Sequence, residues 1–203
     1  MEKLVITIGR QTGSGGRLVA KQLSQKLNIP YYDREILEEA AKQSGMSAEL
    51  FELSDEKKHP SLLYAFAMQS YSYSGIGGDE LPLGTRMYLA QCDAIKKIAQ
   101  EGSCVLLGRC ADYFLRDEPG LVRVFVTAEH EDRVAHVMDE KKMTEKDARD
   151  YIRKRDKERA AYYDFNTDSK WGAAKNYDIC VNTTKVGVDG AVKLIEEFIK
   201  IKK

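Results

Sequence analysis

The chain has 203 residues, of which 43% are hydrophobic and 32% are charged, and its 32 basic residues balance its 32 acidic residues. This composition is typical of a soluble globular protein that forms one α/β domain with a substantial core. A formal charge of +0 argues against a general nucleic-acid binder or a membrane-surface protein, while a local basic pocket stays compatible with it.

Five short β-type runs alternate with helical patterns along the chain. Several of the runs are continuously apolar, which is typical of strands buried on both faces of a parallel sheet. Strands that alternate with helices predict a doubly wound α/β sheet, in which ligands bind beyond the carboxyl ends of the strands. The predicted strands are 4–8, 29–32, 104–107, 122–127 and 179–182, and the predicted helices are 17–27, 34–43, 86–100, 129–140, 144–162 and 189–201.

A glycine-rich segment, IGRQTGSGGRLVAKQL at residues 8–23, links the first predicted strand to the first predicted helix. Gly13, Gly15 and Gly16 allow the backbone to adopt positive φ angles and to approach a ligand closely. The N-terminus of the following helix directs its positive dipole end and its free N–H groups at an anion. The segment therefore predicts a phosphate site, and a purely structural tight turn is the alternative.

The segment departs from the standard phosphate-binding pattern G-x-x-x-x-G-K-[ST]. With Gly15 as the second glycine, the pattern fails at three positions: Arg10 takes the place of the first glycine, Gly16 that of the lysine, and Arg17 that of the serine or threonine. Arg17 carries a fixed positive charge and a forked set of donors, so it is the candidate that replaces the lysine. Hydroxyl groups in the loop can add hydrogen bonds or help to place Mg²⁺. The predicted phosphate-binding residues are Arg10, Thr12, Gly13, Ser14, Gly15, Gly16, Arg17 and Leu18.

A long insertion at about 44–84 separates the second and third predicted strands. Its stretch SYSYSGIGGDELPLG, residues 70–84, is rich in serine, tyrosine and glycine. A loop of this kind within a compact domain is usually mobile or functional. We weigh equally a flexible connector and a mobile flap that helps to form the site of a second substrate.

Cysteine and histidine give no sign of a metal site. The four cysteines form no CxxC pair, and no cluster of cysteine and histidine has the spacing of zinc ligands. We therefore expect free thiols and no metal held directly by protein side chains. No apolar run approaches the roughly 20 residues of a membrane span, and MEKLVITIG enters a strand directly. This pattern favours a cytoplasmic location.

The stretch ITIGRQTGSGGRLVAKQLSQKLNIPYYDREIL strongly resembles the opening of the cytidylate kinase-like proteins, which are P-loop relatives of the nucleoside monophosphate kinases and often carry a G-S-G-G-R loop. The resemblance continues at VLLGRCADYFL, VRVFVTAEHEDRV, RDKERAAYY and YDICVNT. It implies a single kinase-like domain over 1–203. The implied architecture is a three-layer P-loop fold with a five-stranded parallel sheet, a helical acceptor-site insertion at about 44–84 and a small lid at about 151–175.

The resemblance also implies an acceptor site at the ends of two strands. Asp33 and Arg34 follow the second strand, where a carboxylate can accept from a sugar or base and an arginine can bind phosphate. The alternative is that Asp33 caps a helix and Arg34 is solvated surface. Arg109 follows the third strand, in the place of the G-R-D segment of cytidylate kinases. The aspartate of that segment is displaced here to Asp112, because Cys110 follows Arg109.

Arg155 and Arg159 lie four residues apart on one predicted helical face. In the kinases that the chain resembles, arginines of this lid region close over the transferring phosphoryl group and stabilise its charge. The alternative is a solvated helix with ion pairs to Asp156 and Glu158. The segment 183–188 would lie near an adenine base.

The resemblance implies an ATP-dependent kinase with Arg17, Arg155 and Arg159 as catalytic residues and with Mg²⁺ carried by ATP. CMP or a related monophosphate is the implied acceptor, with no nucleic-acid or membrane partner. A nucleotide-sensing module without turnover and a kinase for a different acceptor are the alternatives. The sequence leaves the oligomeric state open, with a homodimer among the options.

Overall fold

The computed structural model describes residues 3–54 and 83–202, with side chains beyond Phe51 in the first range left undescribed. Its first elements are β1 (Val5–Arg10), α1 (Gly16–Leu27), β2 (Tyr31–Tyr32), α2 (Glu35–Ser44), α3 (Ala48–Ser54) and α4 (Leu83–Glu101). They are followed by β3 (Cys104–Leu107), α5 (Ala111–Phe114), β4 (Leu121–Thr127), α6 (His130–Lys141), α7 (Glu145–Asn166), a 3₁₀ turn (Ala174–Asn176), β5 (Ile179–Asn182) and α8 (Thr183–Ile201). Each predicted strand and helix is therefore confirmed. Within these residues, no helix combines the length and the apolar character of a membrane span.

The five strands form one parallel sheet in the order β2-β3-β1-β4-β5. β1 lies at the centre, with Ile8 opposite Leu107 of β3 and Arg10 opposite Val126 of β4. In a parallel sheet the carboxyl ends of all strands meet at one edge. The residues that follow β1, β2 and β3 therefore come together there, as the sequence predicted.

Both faces of the sheet are buried, so the molecule has three layers. On one face Ile6, Ile8 and Leu107 belong to an apolar cluster with α1 and α8. On the other face Val5 and Leu106 pack with α2 and α4. Because successive residues of a strand point to opposite faces, burial of both faces requires continuous apolar runs. These runs are the signal by which the sequence predicts the sheet.

Several elements differ from their predicted ends by a few residues, and two of these differences have a clear physical cause. β2 is shorter than the predicted strand 29–32 because Pro30 lacks an N–H group, although its carbonyl accepts from the backbone N–H of Val105 at 2.8 Å. α8 begins before its predicted start because the side chain of Asn182 caps its first turn. Gly187, with φ 68°, then kinks this helix.

Part of the predicted insertion at about 44–84 is helical. α3 follows α2 closely, and α4 begins at Leu83. Leu83 and Gly84, which the sequence placed in the 70–84 loop, therefore belong to a helix. The remainder of that loop, 70–82, lies outside the described residues, so its role as a flap stays a prediction. All four cysteines are free thiols, as expected; three of them are buried, whereas Cys180 on the edge strand β5 is exposed.

Candidate active site

The loop between β1 and α1 has the left-handed backbone that its glycines predict. Gly13 and Gly15 have φ angles of 80° and 76°. The hydroxyl of Ser14 donates to the carbonyl of Gln11 at 2.8 Å, and the carbonyl of Ser14 accepts from the hydroxyl of Thr183 at 2.8 Å. Ser14 is only 2% exposed. Its hydroxyl therefore stabilises the loop from within.

Side chains from α6 and α7 hold the loop at Thr12. The backbone N–H of Thr12 donates to Asp156 Oδ1 at 2.8 Å, and its carbonyl accepts from Arg133 Nε at 2.7 Å. Its hydroxyl accepts from Arg159 Nη1 at 3.0 Å. Arg133 and Asp156 also form a close ion pair. The position of the loop thus depends on two buried or nearly buried charges from distant helices.

Gly13 provides a test of this close packing. A Cβ at Gly13 would lie 2.6 Å from the carbonyl oxygen of Arg133. We expect Gly13→Ala to lower the free energy of unfolding by about 3 kcal/mol or more, since a left-handed φ and a backbone clash add together. Urea unfolding followed by circular dichroism measures the loss.

Gly45 is the matched control, because its φ is 68° and a Cβ there would meet nothing within 4 Å. Gly45→Ala should cost only the conformational part, about 1–2 kcal/mol. Equal losses for Gly13→Ala and Gly45→Ala would show that α6 does not restrain the loop.

A cavity of about 520 Å³ opens beside this loop at the carboxyl edge of the sheet. Its wall is formed by the loop, by the residues after β2 and by one face of α6 and of α7. Ser14, Arg109 and Asp112 are the predicted site residues outside its lining. The predicted residues that line it are Arg10, Thr12, Gly13, Gly15, Gly16, Arg17, Leu18, Asp33, Arg34, Arg155 and Arg159.

The lining of this cavity is rich in positive charge. Its cationic side chains outnumber its carboxylates, so the cavity suits a ligand with several negative charges. The cations are Arg10, Arg17, Arg34, Lys141, Arg155 and Arg159, and the carboxylates are Asp33, Asp139 and Glu140.

Asp33 is held at the cavity wall by two arginines. Its carboxylate lies 2.9 Å from Arg17 Nη2 and 3.2 Å from Arg109 Nη1, and the hydroxyl of Tyr31 donates to it at 3.3 Å. Burial acts to raise the pKa of Asp33, but Arg109, Arg17 and Arg10 outweigh it and hold the pKa below its ordinary value of 3.8. Asp33 is thus ionised at neutral pH and is available as a hydrogen-bond acceptor.

The cap interpretation of Asp33 is wrong. Arg34 is the N-cap residue of α2, and no side chain caps that helix end. The backbone N–H of Asp33 instead donates to Glu35 Oε2 at 2.8 Å. Arg34 is exposed, as its alternative interpretation predicted, and it also lines the cavity.

Arg109 and Asp112 lie behind the cavity. Arg109 is 3% exposed, and besides Asp33 it donates to the carbonyl of Leu107 at 3.1 Å. Asp112 accepts from the hydroxyl of Tyr163 at 2.7 Å, and burial raises its pKa. Both line a separate pocket of about 20 Å³, space for about one water molecule. Arg109 can therefore act on a ligand in the large cavity through Asp33, whereas the structure keeps Asp112 away from it.

The two predicted lid arginines both reach the cavity and also form ion pairs. Arg155 Nη1 lies 2.8 Å from Glu158 Oε2, and Arg159 Nη1 lies 4.0 Å from Asp156 Oδ1. The ion pairs that the alternative interpretation predicted are therefore present, spaced i, i+3, while the role of the two arginines in a lid stays a prediction. The segment 183–188 lines a further cavity of about 180 Å³ on the other side of the loop.

Asp156 and Arg133 are the site residues that sequence reasoning missed. The sequence indicates Asp156 only as an ion-pair partner on a solvated helix, and it indicates no role for Arg133. The signal was faint, because nothing local to either residue indicates that it turns inward toward a loop more than a hundred positions away.

The parallel sheet and the glycine-rich loop after its central strand are those of the P-loop kinase fold. Shikimate kinase from Bacteroides thetaiotaomicron has a TM-score of 0.56 and 13% identity, with 97% of this chain and 98% of that chain covered. Shikimate kinase from Acinetobacter baumannii in complex with shikimate has a TM-score of 0.51 and 11% identity, with 99% and 94% covered. At such identities the likeness shows the fold alone.

A family model narrows this class. The model of the cytidylate kinase-like family matches residues 5–185, and the chain belongs to that family. An uncharacterized protein from Eubacterium ventriosum ATCC 27560 is 32% identical with a TM-score of 0.73, and 98% of this chain and 99% of that chain are covered. No curated protein matches the chain significantly. The fold class and the family that the sequence predicted are thereby confirmed.

Proposed function

We propose that the protein transfers a phosphoryl group from ATP to a small-molecule acceptor, with a nucleoside monophosphate such as CMP as the first candidate. The observation that carries this proposal is the cluster of arginines around the cavity at the glycine-rich loop. Phosphoryl transfer depends mainly on positioning and on neutralising charge on the transferred group. A cavity walled by arginine side chains and by the glycine-rich loop suits both needs.

The residues divide between the two substrates by position. The loop residues from Arg10 to Leu18 would bind the phosphates of the donor, with Arg155 and Arg159 closing on the transferred group. Asp33 and Arg34 would bind the acceptor, with Arg109 orienting Asp33. The bond between the γ-phosphorus and the β-γ bridging oxygen breaks, a bond to an acceptor oxygen forms, and ADP leaves. Asp112 joins this site only by way of the small pocket behind Arg10 and Arg159.

Mg²⁺ would enter with the nucleotide. It takes oxygen ligands, keeps several waters and is usually held by one or two carboxylates together with substrate phosphates. Within residues 3–54 and 83–202, no three side chains among His, Cys, Asp and Glu form a metal cluster. The cavity wall does offer the hydroxyl of Thr12 and the carboxylates of Asp33, Asp139 and Glu140. This donor set fits a nucleotide-borne ion better than a dedicated protein cage.

We also propose that residues at about 151–175 act as the lid of this single domain. Arg159 supports this assignment because it joins α7 to the loop at Thr12. A lid excludes water from the transferring group and so prevents hydrolysis of the donor.

A coupled ADP-release assay with Mg·ATP and a panel of nucleoside monophosphates, beginning with CMP, tests the proposal. We expect release of ADP that depends on the acceptor. Release of ADP only with an acceptor that is not a nucleoside monophosphate would support the kinase activity and exclude CMP as the acceptor. Binding of Mg·ATP without release of ADP for any acceptor would favour a nucleotide-sensing module. The absence of a lysine at position 16 is the feature of the sequence that agrees with this alternative.

A further inference from the structure

Two of the three residues that depart from the phosphate-binding pattern, Arg10 and Gly16, lie against each other. A Cβ built on Gly16 would lie 2.5 Å from Cβ of Arg10 and 3.1 Å from its Cγ. Cβ of Arg10 is fixed by the backbone of β1, which pairs there with Val126 of β4. It therefore cannot move aside as the end of a flexible side chain could. Residue 16 has to be glycine because residue 10 carries a side chain.

The same contact explains why the standard pattern combines a glycine on the strand with a lysine on the helix. In G-x-x-x-x-G-K the first glycine stands at the position of Arg10 and the lysine stands at the position of Gly16. A lysine at that place needs the space that a residue without Cβ leaves on the strand. The departures at Arg10 and Gly16 are thus a single exchange, which moves one cationic side chain from the helix to the strand, while the third departure, Arg17 in place of serine or threonine, is separate from it.

The side chain of Arg10 is directed into the site. Arg10 is 8% exposed, yet it lines the large cavity. Burial has the largest effect on the pKa of Asp33 and raises it. The positive charges of Arg109, Arg17 and Arg10 lower that pKa, so Arg10 lies close enough to act on Asp33. Arg17, which the sequence favoured for the role of the lysine, has a side chain that is 53% exposed and is paired with Asp33 at 2.9 Å.

We propose that Arg10 supplies the cation that the loop lysine supplies in a standard P-loop, and that Gly16 is the obligatory steric partner of this arginine. The inference rests on the proposed function and names the residue that contacts the β- and γ-phosphates of the donor. A guanidinium presents a rigid fork of donors that matches phosphate oxygens in a bidentate manner. Its anchorage on the central strand positions that fork before the nucleotide enters.

Titration calorimetry with Mg·ADP tests the charge. Arg10→Met keeps the Cβ and Cγ that lie over Gly16 and removes the guanidinium, and we expect its Kd to rise about 10- to 100-fold. Arg10→Lys should recover part of this loss. The matched control is Arg153→Met, an exposed arginine outside the cavity wall, which should bind like the wild type. A wild-type protein that binds Mg·ADP while Arg10→Met binds within about twofold of it would overturn the inference and leave the proposed function standing.

The exchange itself is tested by variants at both positions. Arg10→Gly alone should bind Mg·ADP weakly, whereas Arg10→Gly combined with Gly16→Lys should recover affinity to within about tenfold of the wild type. A folded double variant that binds no better than Arg10→Gly would contradict the exchange. Absence of Mg·ADP binding by the wild type would instead overturn the proposed function, and the charge assignment with it.

The steric part of the proposal, that Arg10 requires glycine at position 16, can be tested without a ligand. Gly16→Ala should lower the midpoint of urea unfolding in the wild-type background and should have little effect in an Arg10→Gly background. An equal effect in both backgrounds would show that Arg10 does not impose glycine at position 16, and would overturn that part of the inference.

Discussion

Replacement of Asp156 by alanine should lower the free energy of unfolding by about 3–5 kcal/mol. Asp156 pairs with Arg133, whose side chain is 7% exposed, and it accepts the backbone N–H of Thr12 at 2.8 Å. Its removal leaves a buried guanidinium without this carboxylate and a loop N–H without its acceptor. The loss is measured by urea unfolding, and nucleotide affinity should fall with it because the loop loses its restraint from α7.

The same helix provides the control for this variant. Asp150 is also paired with an arginine, Arg153, but both side chains are exposed. Exposed pairs contribute about 0–1 kcal/mol, so Asp150→Ala should change stability little. A loss for Asp156→Ala as small as that for Asp150→Ala would contradict the role of Asp156 in holding the loop.

Arg159→Ala should lower kcat of phosphoryl transfer by about 10²–10³-fold. Its guanidinium lines the large cavity and lies 3.0 Å from the hydroxyl of Thr12, where it can stabilise charge on the transferred group. Arg159→Lys keeps the positive charge but loses the forked set of donors, so its kcat should lie between those of the wild type and Arg159→Ala. The coupled ADP-release assay at saturating Mg·ATP and acceptor gives kcat directly.

The control for Arg159 is Arg153→Ala, an exposed arginine on the same helix that pairs with Asp150. Its kcat should equal that of the wild type. An unchanged kcat in a folded Arg159→Ala variant would show that Arg159 does not take part in the transfer and would remove it from the proposed mechanism.

The sheet was predictable from sequence because its physical cause is local. Burial on both faces demands continuous apolar runs, and β3, which is buried along its whole length, was located at both ends by this signal. β2 was predicted too long because apolar character at Ile29 outweighed the missing N–H of Pro30. The early start of α8 depends on the cap at Asn182, which the apolar pattern of the helix does not record.

The site residues were predictable only where a local sequence pattern marks them. Glycines after a central strand indicate the phosphate loop, and strand ends indicate Asp33 and Arg34. Asp156 could not be assigned in this way because its contact with Thr12 depends on how α7 crosses the loop. The contact of Arg10 with Gly16 was hidden for the same reason, since the distance between strand end and helix start exists only in the folded loop.

One titration tests the central claim of this account, that the arginine-lined cavity at the glycine-rich loop binds the phosphates of a nucleotide. Calorimetry of the wild-type protein with Mg·ADP should give saturable binding at one site. Absence of binding by a folded wild-type protein would contradict the claim and would leave the loop as a structural turn or a site for a different anion.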